Sequence, residues 1–272
     1  MSRRKPVVAP GSAVFMDPGL TLWQRHGRGG AGGSTDLNRV VQRARYQGRR
    51  VKPLDGDLRS RTLSILYPAF DTDGVPILDG ASSPASEDPA DAKKWLSFEF
   101  DQMIEEGVSR VLDLGGGDRV LQEYNRDLEV PEFCRDYGIG LTAAFYLGPN
   151  MEDFRHVLQI LKAGHLKGAR ILLVLNEGVI RQGQSTKDAF GPIVGHPDFH
   201  AILKDGARAV VMPRLSCLDQ LQERGLGIYD AIHSLPDKDG VKASPVLQHM
   251  TDKWANEIEL QHSEAGTLEW HP

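Results

Sequence analysis

Hydrophobic residues recur along the chain in two alternating patterns, compact apolar runs and runs with helical spacing. The compact runs predict β-strands, and the spaced runs predict amphipathic helices. Because the two kinds alternate from residue 20 onward, the pattern predicts six or seven strands in a mostly parallel sheet with helices on both faces. The first predicted strand begins at Leu20, and the others cover Val51–Leu54, Val108–Leu114, Ile139–Phe145, Ala169–Leu175 and Ala207–Met212.

The predicted helices lie between and after these strands. They cover Asp36–Gln47, Ala92–Glu106, Leu121–Tyr137 with a break near Pro131, the stripe from Met151 to Leu161, Asp198–Leu203, Leu218–Leu221, Ile228–Ile232 and Pro245–His262. Two segments rich in polar and turn-forming residues, Tyr67–Asp91 and Gly178–Pro197, are typical of surface loops. Pro53 predicts that the second strand lies at an edge of the sheet or is distorted, because proline cannot donate to a neighbouring strand.

The composition is that of a globular protein with a sizeable core. The chain has 272 residues, of which 40% are hydrophobic and 25% are charged. This length fits one large α/β domain or two small ones, and with the alternation of strands and helices it favours a single doubly wound α/β domain. We divide the chain into an N-terminal extension over residues 1–19, a main domain over residues 20–233, and a C-terminal tail with an amphipathic helix over residues 234–272.

Charge and cysteine content narrow the function classes. The net charge of −5 gives no overall attraction to nucleic acid. The two cysteines form no C-x-x-C pair, which favours a reducing compartment. No apolar run approaches the roughly 20 residues needed to cross a bilayer, and the first residues lack the apolar segment of a signal peptide. We therefore expect a cytoplasmic protein without a membrane span.

The stretch Leu20–Thr35, LTLWQRHGRGGAGGST, carries the strongest chemical signal. It predicts a strand, a turn with five glycines and the start of a helix. Glycines let the backbone turn tightly and approach a ligand closely. The free N–H groups and positive dipole end of a helix that begins near Ser34 favour an anion such as phosphate. The alternative is a flexible linker, but a linker does not need to fall between a strand and a helix.

Polar residues and a proline mark the ends of other predicted strands. Asp55 and Asp57 follow the second strand, Asp113 ends the third, Asn176 follows the apolar run ARILLVL, and Pro213 follows the last strand. Ligands of α/β proteins bind at the carboxyl ends of parallel strands. The sequence therefore predicts that these residues border a binding site.

The order of these features over residues 20–233 resembles the deviant P-loop region of the ParA/MinD family. The segment Arg28–Ser34 corresponds to that family's K-G-G-x-G-K-[ST] loop. The resemblance implies a nucleotide switch with ATP and Mg²⁺ as its ligands. It implies phosphate contacts from Gly29, Gly30, Ala31, Gly32, Gly33, Ser34 and Thr35, magnesium contacts from Ser34, Asp55 and Asp113, catalytic roles for Asp55 and Arg28, and an adenine site bordered by Asn176 and Pro213.

Both lysines of the family's loop are absent. Gly33 stands where a lysine contacts the β- and γ-phosphates, and Arg28 stands at the signature lysine. Because positive charge at the transferring phosphoryl group dominates catalysis, we expect a slow or degenerate ATPase. The resemblance implies a homodimer, in which Arg28 acts across the interface, and a DNA-associated or protein partner. It implies a role in plasmid or chromosome partition, conjugative transfer or cellular positioning.

Three alternatives stay open. The missing lysine allows a non-hydrolysing scaffold with the same fold. The segment Gly27–Gly32 also matches G-x-G-x-x-G, with Asp55 as a ribose ligand, which would indicate a dinucleotide-dependent enzyme. The segment Val111–Gly117 resembles the first motif of S-adenosylmethionine-dependent methyltransferases, although no acidic residue ends the next strand.

Two weaker patterns have structural interpretations. His196 and His200 have a spacing that can place two metal ligands on one helix face, but we expect a capped helix start there. The arginines within residues 43–50 predict a solvated helix face that could also contact DNA.

Overall fold

The computed structural model describes residues 19–114 and 118–272. Within them, six strands form one all-parallel sheet in the order β2-β3-β1-β4-β5-β6. The strands are β1 (Thr21–His26), β2 (Val51–Asp55), β3 (Ser109–Asp113), β4 (Gly140–Leu147), β5 (Arg170–Asn176) and β6 (Arg208–Met212). The predicted extension over residues 1–19, apart from Gly19, and the glycines 115–117 of the methyltransferase-like motif lie outside the described residues.

Helices connect the strands and follow the last one. They are α1 (Gly33–Tyr46), α2 (Thr62–Leu66), α3 (Pro89–Glu106), α4 (Asp118–Leu128), α5 (Val130–Asp136), α6 (Met151–Ala163), α7 (Thr186–Val194), α8 (Pro197–Lys204), α9 (Leu218–Arg224), α10 (Ile228–Ile232) and α11 (Pro245–Glu264). The predicted α/β class with helices on both faces is therefore confirmed.

Alternating side chains bury both faces of the sheet. Because successive residues of a strand point to opposite faces, each strand supplies two layers of the core. On one face, Trp23 and Val174 pack with residues of α1, α10 and α11. On the other face, Leu112 packs with α3, α4 and α5, and Leu173 packs with α6, α7 and α8.

The connections reverse direction around β1. The chain leaves β1 through α1 on one face and returns as β2 at the sheet edge, whereas α4 and α6 leave β3 and β4 on the other face. Such a reversal opens a crevice at the carboxyl ends of the strands, where α/β folds bind ligands. The ends of β1, β3 and β4 border that crevice.

Two local predictions have different outcomes. The edge position expected from Pro53 is confirmed, because β2 is the outermost strand and pairs only with β3 among the described strands. The predicted loop over Gly178–Pro197 is wrong in its second half, which contains α7. The Ser185 hydroxyl caps that helix. Burial of the Phe190 and Ile193 side chains stabilises it despite an internal glycine and proline, whose presence suggested a loop.

The C-terminal segment is tied to α1 by a buried polar network. The Arg39 side chain is fully buried, and its Nε donates to Asp36 Oδ1 over 2.5 Å. Its Nη2 donates to His262 Nε2 over 3.3 Å and to His271 Nε2 over 3.2 Å. Its Nη1 lies 3.4 Å from Glu259 Oε1. The last residues of the chain therefore fix the position of α1.

The basic run of α1 has internal partners rather than a solvated face. Arg43 is 1% exposed and its Nε lies 2.6 Å from Glu259 Oε1. Arg45 is half-buried and donates to the carbonyl oxygens of Val51 and Asp79. The prediction of a solvated or DNA-contacting helix face is therefore wrong for these two arginines, because their charges are neutralised or hydrogen-bonded inside the molecule.

Candidate functional site

The glycine loop of residues 27–32 joins β1 to α1 in a backbone path that only glycine follows easily. Gly27, Gly30 and Gly32 have φ angles of +114°, +82° and +78°, a region that strains other residues. A Cβ on Gly27 would lie 2.8 Å from the Tyr146 carbonyl oxygen, and one on Gly32 would collide with Asn176 Nδ2. The loop is therefore closely packed at both of its ends, at Gly27 and Gly32, and is not a linker.

Asn176 holds the glycine loop from the end of β5. Its Nδ2 donates to the Ala31 carbonyl over 2.8 Å, and its Oδ1 accepts from the Gly178 N–H over 2.7 Å. The side chain is 3% exposed, so both polar atoms are engaged within the protein. Pro213 is also buried, and its carbonyl accepts from Trp254 Nε1 over 2.7 Å. Contact of these two residues with adenine stays a prediction.

Three polar side chains meet beneath the start of α1. The Ser34 hydroxyl donates to Asp113 Oδ2 over 2.7 Å. Arg25 Nη1 donates to Asp113 Oδ1, also over 2.7 Å. Asp113 is 1% exposed and Arg25 is 4% exposed, so the ion pair is shielded from water, whereas Ser34 is half-buried. The structure therefore brings Ser34 and Asp113 together, as the resemblance implied.

Strand register explains why these groups meet. Trp23 of β1 pairs with Val111 of β3, and both side chains belong to the core under α1. Two residues further along each strand stand Arg25 and Asp113, which therefore point to the same face. Sequence reasoning missed Arg25, although its alternation with Trp23 in the run TLWQRH was a usable signal.

Asp55 lies on the far side of Asp113 from β1. The two carboxylates occupy paired positions of β2 and β3. Asp55 Oδ2 accepts from the Ser64 N–H over 2.7 Å. Its Oδ1 is buried with no hydrogen-bond partner among the described residues. Burial raises the pKa of Asp55, and the nearby charge of Asp113 adds to the effect despite the hydrogen bonds from Ser64.

The donor set fits a magnesium ion in its chemistry. Mg²⁺ prefers oxygen ligands and commonly keeps waters alongside one or two carboxylates. Ser34 and Asp113 supply a hydroxyl and a carboxylate at one point, and the buried Oδ1 of Asp55 is a further acceptor on the adjoining strand. These are the residues that would hold the ion, while the Arg25 ion pair partly neutralises Asp113.

The tip of the glycine loop faces solvent. Gly29 and Gly30 are exposed. The Arg28 side chain is 55% exposed, and its Nη1 lies 3.8 Å from Asp153 Oδ1. Arg28 therefore does not join the buried group under α1, and its catalytic role across a dimer stays a prediction.

An apolar cavity of about 230 Å³ opens beside the first turn of α1. It lies between α1, α2 and the α9–α10 region. Its polar lining includes Ser34, Thr35 and Asn38 of α1, and its apolar lining comes from Ile65, Leu66, Leu218, Leu221, Leu226 and Ile228. The cavity therefore joins directly to the helix start where Ser34 meets Asp113.

The paired histidines have a structural role at one helix end. His196 Nδ1 accepts from the Asp198 N–H over 3.2 Å and so caps α8, as expected. Across residues 19–114 and 118–272, no group of three or more His, Cys, Asp or Glu side chains is arranged to hold a metal ion.

None of the helices in the described part of the chain is both long enough and apolar enough to span a bilayer.

Comparison with known proteins finds solved structures that are similar to this chain but assigns it to no family. No protein-family model matches the chain, and no curated protein matches it. Among solved structures, it is similar to the MinC:MinD cell division protein complex of Aquifex aeolicus, at 13% identity over 87% of this chain and 96% of that chain, with a TM-score of 0.49. It is similar to the MinD cell division protein of Aquifex aeolicus, at 15% identity over 87% and 98% of the chains, with a TM-score of 0.47. It is also similar to a nucleotide-binding protein of Archaeoglobus fulgidus in complex with ADP, at 17% identity over 76% and 86% of the chains, with a TM-score of 0.41.

The fold itself defines the class of the protein. It is an α/β protein with a doubly wound parallel sheet and a glycine loop at the point where the strand connections reverse.

Proposed function

We propose that the chain binds ATP with Mg²⁺ at the glycine loop, as a ParA/MinD-like nucleotide switch that hydrolyses ATP slowly or not at all. The observation that carries the proposal is the 2.7 Å hydrogen bond from the Ser34 hydroxyl to Asp113 Oδ2. It lies directly after the glycine loop, where the hydroxyl and carboxylate oxygens can bind a metal ion that also binds the phosphate. Asp55 would serve the same ion and an attacking water.

Phosphate would bind over the start of α1. Residues Gly29–Thr35 present successive backbone N–H groups, and α1 has 14 residues whose dipole is positive at this end. The left-handed conformation of Gly32, the residue that precedes α1, supports the loop-to-helix turn that such a cradle needs. Asn176 would support the cradle through its bond to Ala31.

The resemblance implies a base beside Asn176 and Pro213. A second candidate for the base is the apolar cavity beside Ser34 and Thr35. Its volume of about 230 Å³ is below the roughly 300–1,000 Å³ of sites that enclose a drug-sized ligand. The cavity therefore suits one ring system rather than a whole nucleotide, with the phosphates lying outside it on the loop.

Slow or absent hydrolysis follows from the missing loop lysine at Gly33. The exposed Arg28 would meet a second copy of the chain, so we propose a homodimer whose partner is another protein or DNA. The biological setting that the resemblance favours is partition, conjugative transfer or positioning. A scaffold that keeps the fold without hydrolysis is the second form of the same proposal.

The strand order supports this proposal over a dinucleotide-dependent enzyme. In the dinucleotide fold the second strand lies next to the first, so its terminal acid reaches the ribose. Here β3 separates β2 from β1. Two strand spacings put the end of β2 roughly 10 Å from the end of β1, and Asp55 bonds to Ser64 instead.

Equilibrium binding of a fluorescent ATP analogue, with and without Mg²⁺, tests the proposal. We expect binding that Mg²⁺ strengthens and that excess NAD or S-adenosylmethionine leaves unchanged. Ser34→Ala should remove most of the magnesium effect, whereas Ser97→Ala on the exposed face of α3 should not. Absence of ATP binding would refute the switch, and displacement by either competitor would favour the enzyme alternatives.

A further inference from the structure

The side-chain position of residue 33 is already filled by an arginine from the strand below. A Cβ built on Gly33 would collide with Arg25 Nε and stand 2.6 Å from Arg25 Cδ. A lysine at position 33 therefore has no room unless Arg25 moves. The glycine at position 33 leaves space for the Arg25 side chain, which extends from β1 to the start of α1.

Arg25 is a buried cation with unused hydrogen-bonding capacity. It is 4% exposed, and its Nη1 pairs with Asp113 over 2.7 Å. Its Nε–H is buried and has no hydrogen-bond partner among the described residues. An unpaired buried donor is costly, so its retention beneath an anion-attracting helix start points to an acceptor that arrives from outside.

We infer that Arg25 is the phosphate-binding cation of this site and takes over, from β1, the binding role of the lysine that the loop lacks. The inference rests on the proposed function. The ligand class is the polyphosphate of a nucleotide. A guanidinium presents several N–H groups in a fixed plane that matches phosphate oxygens, and the backbone of Gly33 leaves it the space to do so.

Ligand binding would exchange the partners of Asp113. Without ligand, Arg25 and the Ser34 hydroxyl both donate to its carboxylate. With ligand, the guanidinium would turn toward the phosphate oxygens while Mg²⁺ takes its place at Asp113. Each charge then keeps an opposite partner, so neither the arginine nor the carboxylate is left buried and unpaired, which would be strongly unfavourable.

Moving the cation between the strand and the loop tests the inference. Binding of a fluorescent ATP analogue with Mg²⁺, and its competition by pyrophosphate, would be measured for Arg25→Met, Arg25→Lys, Gly33→Lys and the double variant Arg25→Ala/Gly33→Lys. We expect Arg25→Met to weaken the binding of the ATP analogue and of pyrophosphate at least ten-fold. Arg25→Lys should retain most of the affinity for both. Gly33→Lys alone should lower the melting temperature, because it adds a second cation to occupied space. The double variant should recover binding to within a few-fold of the wild type.

Arg110→Met is the matched control. Arg110 is also a fully buried strand arginine, and it pairs with Glu99 and Glu106. It lies toward the amino end of β3, away from the glycine loop. We expect this variant to lose stability but to keep its affinity for the ATP analogue at temperatures where it is folded.

The outcomes separate this inference from the proposed function. If the wild type binds no nucleotide, both fail. If it binds and Arg25→Met binds equally well, only the role of Arg25 is refuted. Tighter magnesium-dependent binding by Arg25→Met would show that the arginine serves only as a counter-ion for Asp113. Should Arg25→Met fail to fold, the double variant decides, because a folded protein that keeps the loop lysine and binds nothing contradicts the inference.

Discussion

Acid should weaken the fold through two histidines buried against Arg39. Arginine can only donate hydrogen bonds, so Nε2 of His262 and of His271 must both accept from it. Their Nδ1–H groups then donate, in His262 to Thr267 Oγ1 and in His271 to the Thr267 carbonyl. Protonation of either ring removes an acceptor and places a second cation beside Arg39.

The size of the effect follows from the pKa change on folding. Burial, with the Arg39 charge adding to it, lowers the pKa of His262 from 6.5 to about 3 despite the nearby carboxylate of Asp36. Burial also lowers the pKa of His271 well below its usual value, and His262 and the arginines add to the effect. The Arg43 charge acts on both histidines in the same direction, and Glu259 pairs with Arg39 and Arg43.

The free energy of unfolding depends on pH as expected for a base whose pKa is lower in the folded state than in the unfolded state. Below pH 6.5 the two histidines bind protons in the unfolded chain but stay neutral in the folded chain. The free energy of unfolding therefore falls as the pH drops from 6.5 toward 3. The slope approaches about 1.4 kcal/mol per pH unit for His262. At pH 5 this histidine alone should cost about 2 kcal/mol, a sizeable share of the roughly 5–15 kcal/mol that stabilises a typical domain, and His271 acts in the same direction.

Urea unfolding followed by tryptophan fluorescence between pH 7.5 and 4.5 measures this slope. His262→Gln, which retains an acceptor for Arg39, should reduce the slope by about 1.4 kcal/mol per pH unit. His249→Gln, on the exposed side of the same helix, should leave it unchanged. Equal slopes in all three proteins would refute the assigned protonation states.

Three further predictions follow from the structure. Gly32→Ala forces an alanine to a φ of +78° and into Asn176 Nδ2, so it should cost about 2–4 kcal/mol. Gly30 has a similar φ but nothing lies within 4 Å of its Cβ position, so Gly30→Ala should cost only about 1–2 kcal/mol. If urea unfolding showed that the two variants lose the same free energy of unfolding, the close packing of Gly32 against Asn176 would be contradicted. Because burial raises the pKa of Cys134 to about 12, that thiol should react with a disulfide reagent at pH 8 only after unfolding, and fast labelling of the native protein would disprove the buried environment. Asp55→Asn should keep or raise the melting temperature at pH 7, because it removes a buried charge beside another carboxylate; a marked drop would mean that the ionised form is stabilised.

The outline of the fold was open to prediction because it depends on local patterns. Apolar runs of strand length placed the six strands within a few residues. Pro53 identified an edge, because its missing N–H has a local consequence. The helix α7 was missed because its stability comes from burying Phe190 and Ile193 against distant strands, whereas its internal glycine and proline gave the opposite local signal.

Part of the candidate site was also predictable. The glycine loop and the acids that end β2 and β3 are local features, and parallel strands bring their carboxyl ends to one edge of the sheet. The engaged amide of Asn176 was not predictable, since its partners are the backbone of Ala31 and the turn that follows β5. Arg43 looked solvated because its partner, Glu259, is 216 residues away in the chain.

The sequence by itself determined the strands, the helices and the glycine turn, since each is set by the spacing and backbone preferences of neighbouring residues. Only the tertiary structure decided which strand lies beside β1, and therefore that Arg25 meets Asp113 beneath Gly33. Partner choice across the sheet depends on burying complementary surfaces and charges that lie far apart in the chain. No local pattern contains that information.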